Sequence, residues 1–303
     1  MKSAYREIVK VYLEKYSNMP QRTLTTKICY ELCKHEDYNK IYKMIQNLTG
    51  KNGVEKRKQL KDKTFFKPIS EVKMSNIINS KGVVLAYSCL HIPANHPKAF
   101  EFLSDLKNEF KPDTIVDLGD TFDVAQPSRH GGNPDIYSPA EELKISKELI
   151  KPFIELFPKV YVCESNHTSR YFRAAKDANI PLEAMKNIND IYGLPKGWKF
   201  LPEWIIDGVV YRHGFGSAPA FTNASKSGVS YVQGHLHSIL ECKYTASPFS
   251  CVFGATAGCL ADPDAETMKY GYYSKDRPML GALIIEGGEQ VTLRKIKLKK
   301  RIL

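Results

Sequence analysis

Apolar positions in the first fifty residues recur at helical spacing. Over residues 4–16, Ile8, Val9, Tyr12 and Leu13 share one stripe while Arg6, Lys10 and Lys15 lie off it, which predicts a first helix. Asn18-Met19-Pro20 breaks the pattern. It resumes over 23–33 with Leu24, Ile28 and Leu32 on one face and Thr23 placed to cap, and again over 37–48 with Ile41, Met44, Ile45 and Leu48 inward. Three short helices with a tight turn before the last outline a helix-turn-helix unit. The outward set on the third helix, Lys40, Lys43, Gln46 and Asn47, mixes phosphate-seeking cations with amides that read base edges.

Near residue 82 the period changes. Short apolar runs at 83–87, 114–118 and 160–163 read as buried strands, and the stretches 97–110 and 140–157 between them as amphipathic helices. The first of these helices carries Phe100, Leu103, Leu106 and Phe110 as its stripe, with Asn95 in position to cap. Residues 174–192 are helical in places, broken at Pro181. From residue 204 onward β-type segments dominate, at 204–212, 229–232, 251–253, 280–286 and 290–296. This succession predicts an α/β fold, a two-sheet β-sandwich flanked by helices, behind a small all-α N-terminal domain. The polar, aperiodic stretch around Lys56, Arg57 and Lys58, basic residues expected to bind nucleic acid together with the third helix, sets the division: 1–65 helical and basic, 66–80 linker, 81–303 main body.

Charge sharpens that division. The chain carries a net +11, but residues 1–80 hold 17 Lys/Arg against 8 Asp/Glu and residues 291–303 hold 6 against none, which leaves the middle slightly acidic. Two basic ends around an acidic body suit a polyanion gripped by the ends while the body does chemistry. The seven cysteines are scattered and odd in number, which fits buried thiols better than a disulfide framework. No apolar run approaches the roughly 20 residues of a membrane span, and the charged amino terminus does not read as a signal peptide. No membrane partner and a cytoplasmic location are expected.

The chemistry gathers at segment ends. The run 83–87 ends at Ser88-Cys89-Leu90-His91, and 114–118 at Gly119-Asp120-Thr121-Phe122-Asp123. Ser165-Asn166-His167 follows 160–163, His213 follows Val209-Val210-Tyr211, and Gly234-His235-Leu236-His237 follows 229–232. Open α/β sheets place ligand sites at the carboxyl ends of their strands, and five of the eight histidines fall in these short signatures. A lone histidine at a strand end reads as a satisfied core residue. Five such blocks in this order read as metal ligation.

The order and spacing resemble the calcineurin-like metallophosphoesterases, whose pattern is Asp-x-His, Gly-Asp-x-x-Asp, Gly-Asn-His-Asp/Glu, a lone His, then Gly-His-x-His. The resemblance covers about residues 81–300 and implies the αββα sandwich of that family. A basic helical preface to such a body is similar to phosphoesterases carried by bacteriophages, which would place the chain in the host-cell cytoplasm.

By that resemblance two divalent metal ions share Asp120. Cys89, His91 and His237 would complete one, and Asn166, His213 and His235 the other. His167 would stabilise or protonate the leaving oxygen, with Asp123 orienting its ring and Arg170 contacting phosphate. Mixed His/Asp/Asn ligation suits Mn2+ first, with Fe or Zn as alternatives. The implied activity is phosphodiester hydrolysis of nucleic acid, DNA ahead of RNA. The same chemistry also serves a phosphatase or phosphodiesterase on a small nucleotide or phosphomonoester.

Three positions depart from the family pattern: Cys89 replaces Asp, Ser165 replaces Gly, and Thr168 replaces an acid. A thiolate is softer than a carboxylate and offers one donor atom in place of two. The Cys89 position therefore either selects a thiophilic ion or holds its ion weakly, and in the second case the chain is a catalytically impaired DNA-binding protein. Ser165 is expected to adopt the turn with some strain.

Overall fold

The computed structural model describes residues 2–16, 19, 21–32, 38–49, 76–80, 82–127, 135–214, 216–248, 250–271 and 275–297. The chain divides into two compact units, Met1–Met74 and Ser75–Leu303. Among the described residues no helix is long and apolar enough to cross a membrane.

In the first unit, α1 (Lys2–Lys15), α2 (Gln21–Glu31) and α3 (Tyr38–Thr49) pack around Val9, Leu24, Ile28, Cys29, Ile41 and Ile45, all buried. Because α2 starts at Gln21, Thr23 lies inside the helix and does not cap it. The hydroxyls of Thr25 and Thr26 turn back onto the carbonyls of Gln21 and Arg22 one turn earlier. Lys40, Lys43, Gln46 and Asn47 stand exposed on α3, whereas Lys56, Arg57 and Lys58 lie outside the described residues.

The second unit begins with β1 (Ile77–Ile78), β2 (Val83–Tyr87), α4 (Ala99–Phe110), β3 (Thr114–Asp117), α5 (Pro139–Leu149), α6 (Lys151–Leu156) and β4 (Val160–Cys163). It continues through α7 (Arg170–Asp177), α8 (Ile188–Tyr192), β5 (Trp198–Leu201), β6 (Glu203–Ile206), β7 (Val209–Arg212), α9 (Ala220–Ser227) and β8 (Tyr231–Gln233). Four strands close it: β9 (Leu240–Ala246), β10 (Cys251–Ala257), β11 (Gly281–Glu286) and β12 (Gln290–Lys295).

These strands form two six-stranded sheets, ordered β12-β11-β2-β3-β4-β5 and β1-β6-β7-β8-β10-β9. In the first, β2 to β5 run parallel and β11 pairs antiparallel to β2. Residues alternate in facing the two layers it separates. Val84, Ala86, Val116, Leu283 and Ile285 pack against Trp204, Ile206, Tyr211, Val232 and Phe253 of the other sheet. Leu85, Tyr87, Ile115, Val162 and Ile284 pack instead with Leu103, Leu106, Phe153 and Phe157 of the helices. Burial on both faces is why these strands read as unbroken apolar runs. Both buried tryptophans keep a partner, Trp198 Nε1 donating to Phe157 O at 2.9 Å and Trp204 Nε1 to Val162 O at 3.0 Å.

The observed elements depart from the expected ones at identifiable residues. The expected helix over 140–157 is two helices, because Pro152 lacks the N–H and crowds the preceding turn. Asn95 does not cap α4, which starts at Ala99 behind an uncapped Lys98; Asn95 bridges to Ala261 instead. The later start shifts the buried stripe to Ala99, Leu103 and Leu106, and Phe100 is 39% exposed. The expected strand 204–212 is a hairpin, turned by Asp207 and Gly208 at φ 51° and 77°.

Candidate metal centre

The strand ends meet because the loops leaving them stay paired. Cys89 N donates to Gly119 O and His91 N to Asp120 O, each at 2.9 Å, so the loop after β2 runs beside the loop after β3. Gly234 N reaches His213 O at 3.1 Å and joins the loops after β7 and β8 in the same way. Cys89, His91, Asp120 and His235 all take left-handed backbone, with φ of 55°, 51°, 54° and 67°. Such conformations cost about 1–3 kcal/mol each and gather at functional sites. Two glycines let the loops close. A Cβ at Gly234 would stand 1.8 Å from Ser88 Oγ, and one at Gly119 would stand 2.9 Å from His213 Nδ1.

Asp120 belongs to two of the three donor groups found among the described residues, the other being His91, Asp123 and His167. In the first, one donor atom each from Cys89, His91, Asp120 and His237 all lie within 4.8 Å of one another. His91 Nδ1 donates to Asp123 Oδ1 at 3.0 Å, which leaves Nε2 with its lone pair, 3.1 Å from His237 Nε2 and 3.8 Å from Asp120 Oδ2. The second group holds Asp120, His213 and His235, with Asn166 Oδ1 3.0 Å from His213 Nε2.

The second group tests whether a cation fits. His213 Nδ1 must carry a proton, since it lies 2.8 Å from Leu118 O, a carbonyl that only accepts. Its Nε2 then faces Asp120 Oδ2 at 3.1 Å, Asn166 Oδ1 at 3.0 Å and His235 Nδ1 at 3.2 Å. One proton on Nε2 satisfies one of these three, and leaving buried acceptors unmade is costly. A metal ion satisfies the whole set, and imidazole, carboxylate and amide oxygen are the donors such ions take.

Protonation of these side chains agrees with this reading. Burial alone would raise the Asp120 carboxyl, but His213, His167 and His91 together hold it well below its ordinary value. Burial lowers His91, with His167 beside it adding to the effect, and lowers His237 to about 3, with His91 as the second cause. His235 falls for the same reason, next to His213. These rings are therefore neutral, the form that ligates metals. His213 opposes the trend: burial lowers it, yet Asp120 outweighs burial and raises it. Burial and then Asp120 raise the Cys89 thiol, an effect that a bound cation reverses.

His167 lies between the metal ligands and a supporting cluster. Its Nδ1 bonds the main-chain oxygen of Asp123 and stands 3.2 Å from Asp123 Oδ1, and its Nε2 is 3.9 Å from Asp120 Oδ2. Arg170, expected as a phosphate contact, has Nη1 on the carbonyls of Asp123 and Val124 at 2.9 and 3.0 Å. Its Nη2 donates to His167 Nε2 at 3.0 Å. In this arrangement Arg170 is a positioning residue.

No family model matches the chain, and no curated protein does. Among solved structures the chain is similar to Yfce, a phosphoesterase from E. coli, with 13% identity, TM-score 0.35 and coverage of 67% of this chain and 87% of that one. It is also similar to Vacuolar Protein Sorting 29 from Cryptosporidium parvum, with 13% identity, TM-score 0.37 and coverage of 72% and 99%.

Several supporting residues escaped the sequence reading. Asp117, fully buried, accepts from Gly119 N at 2.8 Å and Thr121 Oγ1 at 2.7 Å, bracing the turn that presents Asp120. The alternation Asp-x-Gly-x-Thr was the available signal. Ser165, expected to adopt the turn with some strain, is not among the residues of positive φ; its Oγ accepts from Asp120 N at 3.0 Å and lies 2.8 Å from Thr168 Oγ1. Two of the departures from the family pattern thus form a pair that supports Asp120.

Proposed function

We propose that the chain is a metal-dependent phosphodiester hydrolase acting on nucleic acid, DNA first, with the N-terminal three-helix unit holding the polymer. One observation carries the reading: Asp120 Oδ2 stands 3.1 Å from His213 Nε2, 3.8 Å from His91 Nε2 and 3.9 Å from His167 Nε2, inside two donor groups at once. One carboxylate shared between two donor groups suits hydrolysis assisted by two cations. When bound, the two ions supply charge neutralisation at phosphorus and acidify water. Cys89, His91 and His237 would hold one with Asp120, and Asn166, His213 and His235 the other. Mn2+ is the first candidate, with Fe and Zn next.

The remaining residues orient groups and move a proton. His167 keeps its Nδ1 proton on the Asp123 main chain, which aims Nε2 into the centre. Protonated at Nε2, the ring would donate to the oxygen that leaves phosphorus in place of accepting from Arg170 Nη2, which holds Nε2 at 3.0 Å beforehand. Exposed Lys40 and Lys43 supply phosphate contacts, and Gln46 and Asn47 base-edge contacts.

The test is hydrolysis by the full chain, stripped and reloaded with Mn2+, on DNA and RNA oligonucleotides, a chromogenic diester and a monoester. DNA cleavage is expected to fall steeply with salt while the small diester is insensitive. No turnover of any ester under Mn2+, Fe2+ or Zn2+ would overturn the reading. Cys89 favours one second reading, a DNA-binding protein without turnover, which predicts salt-sensitive binding and no cleavage.

A further inference from the structure

The two donor groups share Asp120 but differ in one kind of atom. Cys89, His91, Asp120 and His237 offer a sulfur, two imidazole nitrogens and a carboxylate oxygen. Asp120, Asn166, His213 and His235 offer two oxygens and two nitrogens. We infer that the two positions take different ions: a thiophilic divalent ion, Zn2+ or Fe2+, beside Cys89, and a harder one such as Mn2+ beside Asn166. The inference rests on the two-cation reading of the site and adds a selectivity that this reading does not require.

The thiol is built into place. Cys89 is fully buried, its N–H on Gly119 O at 2.9 Å and its carbonyl on Leu260 N at 3.1 Å, with a left-handed φ of 55°. Tied on both sides, the backbone fixes the direction in which the Cα–Cβ bond leaves it. Two groups already face the sulfur, the Ser88 hydroxyl at 2.9 Å and the main-chain N–H of His235. Within this group Asp120 is the one carboxylate, shared with the other position, so no second hard oxygen donor competes with sulfur. Sulfur with imidazole selects Zn2+ and Fe2+, whereas carboxylate with amide oxygen accepts Mn2+. On binding, the S–H bond is given up as the metal–sulfur bond forms, the proton passes to solvent, and no electrons change hands.

Titration of the chelator-stripped full chain with Co2+ tests this. A near-ultraviolet thiolate-to-cobalt charge-transfer band is expected, removed by stoichiometric Zn2+ and persisting in excess Mn2+. Cys89→Ser should abolish the band, and Cys259→Ser, a buried cysteine of the same core, should keep it. In Cys89→Asp the preference for Zn2+ over Mn2+ at that position should fall by at least about tenfold, the smallest loss typical even of a ligand's supporting partner. Should the variants fail to fold by circular dichroism, the resistance of the wild-type band to Mn2+ decides. Bound Co2+ without the band, a band that survives in Cys89→Ser, or displacement by Mn2+ as readily as by Zn2+ would each overturn the inference. Diester hydrolysis by the same samples separates the two readings: turnover without the band sinks the selectivity alone, and the band without turnover sinks the hydrolase reading alone.

Discussion

Asp123 Oδ1 accepts from His91 Nδ1 at 3.0 Å, and this single bond decides which nitrogen of His91 faces the metal centre. The same oxygen stands 3.2 Å from His167 Nδ1, so one buried carboxylate orients two rings, one that would ligate and one that would move a proton under the proposed function. Asp123→Asn presents a weaker acceptor to both. It is expected to lower ion affinity beside Cys89 by about 10–100-fold and to lower kcat as well. Calorimetric metal titration with parallel kinetics checks this, and unchanged affinity would remove Asp123 from ring orientation.

His167→Asn removes the ring whose Nε2 meets Arg170 without touching Cys89, His237 or His235. Turnover should drop by about 10²–10⁴-fold, the range for losing a positioned acid or base. Ion stoichiometry and DNA affinity should match the parent chain. Retained turnover would exclude His167 from proton transfer.

Gly234→Ala forces a methyl to within 1.8 Å of Ser88 Oγ and 2.7 Å of Ser88 Cβ. The loops after β2 and β8 must then separate, at about 1–3 kcal/mol, the usual cost of overpacking. A lower Tm is expected together with weaker ion binding, because His235 and His237 move with the loop. Pairing the substitution with Ser88→Gly should restore most of both, and absence of rescue would place the strain elsewhere.

Glu142 offers a test through pH. It is 4% exposed, both carboxylate oxygens face Ala125 N at 3.1 and 3.0 Å, and burial, followed by the charge of Asp123, raises it from its ordinary 4.5 to about 7. Between those values the folded chain holds a proton that the unfolded chain has released, so stability falls as pH rises through that window. Glu142→Gln stays neutral and keeps an oxygen for Ala125. Relative to the parent it should gain on the order of 1–3 kcal/mol from about pH 5 to about pH 8, read by urea unfolding. An equal difference at both pH values would mean that Glu142 ionises normally.

Lys40→Ala with Lys43→Ala tests the N-terminal unit. Each lysine that meets a phosphate contributes about one unit to the salt slope of binding, so the double variant should lose up to roughly two. Hydrolysis of a small diester should be unaffected. An unchanged slope would move the polymer contact away from α3.

The five blocks that converge were legible because they are polar residues at the ends of apolar runs, where solubility alone gives no reason for His, Asp and Asn. The sandwich was legible for a related cause: strands such as β2, buried on both faces, must be apolar throughout. What escaped notice acts through the backbone. Asp117 looks like a polar interruption of β3 until its bonds to Gly119 and Thr121 are seen. The Asp207-Gly208 turn was read through because both flanks are apolar, and α9 because its apolar face is narrow, closing on the sheet where Gly254 lets Phe221 approach. Arg170 was placed on substrate because sequence gives proximity to His167 without the competing carbonyls of Asp123 and Val124.

The left-handed winding at positions 89, 91, 120 and 235 also restricts which replacements the chain tolerates there. Val, Ile and Thr are disfavoured there on steric grounds, whereas Asn, Asp, His and Gly enter at less cost. That short roster overlaps the residues that grip cations, so the peptide path itself filters incoming side chains for coordinating ability. The thiol at position 89 lies outside that roster and is carried there at a cost in backbone strain.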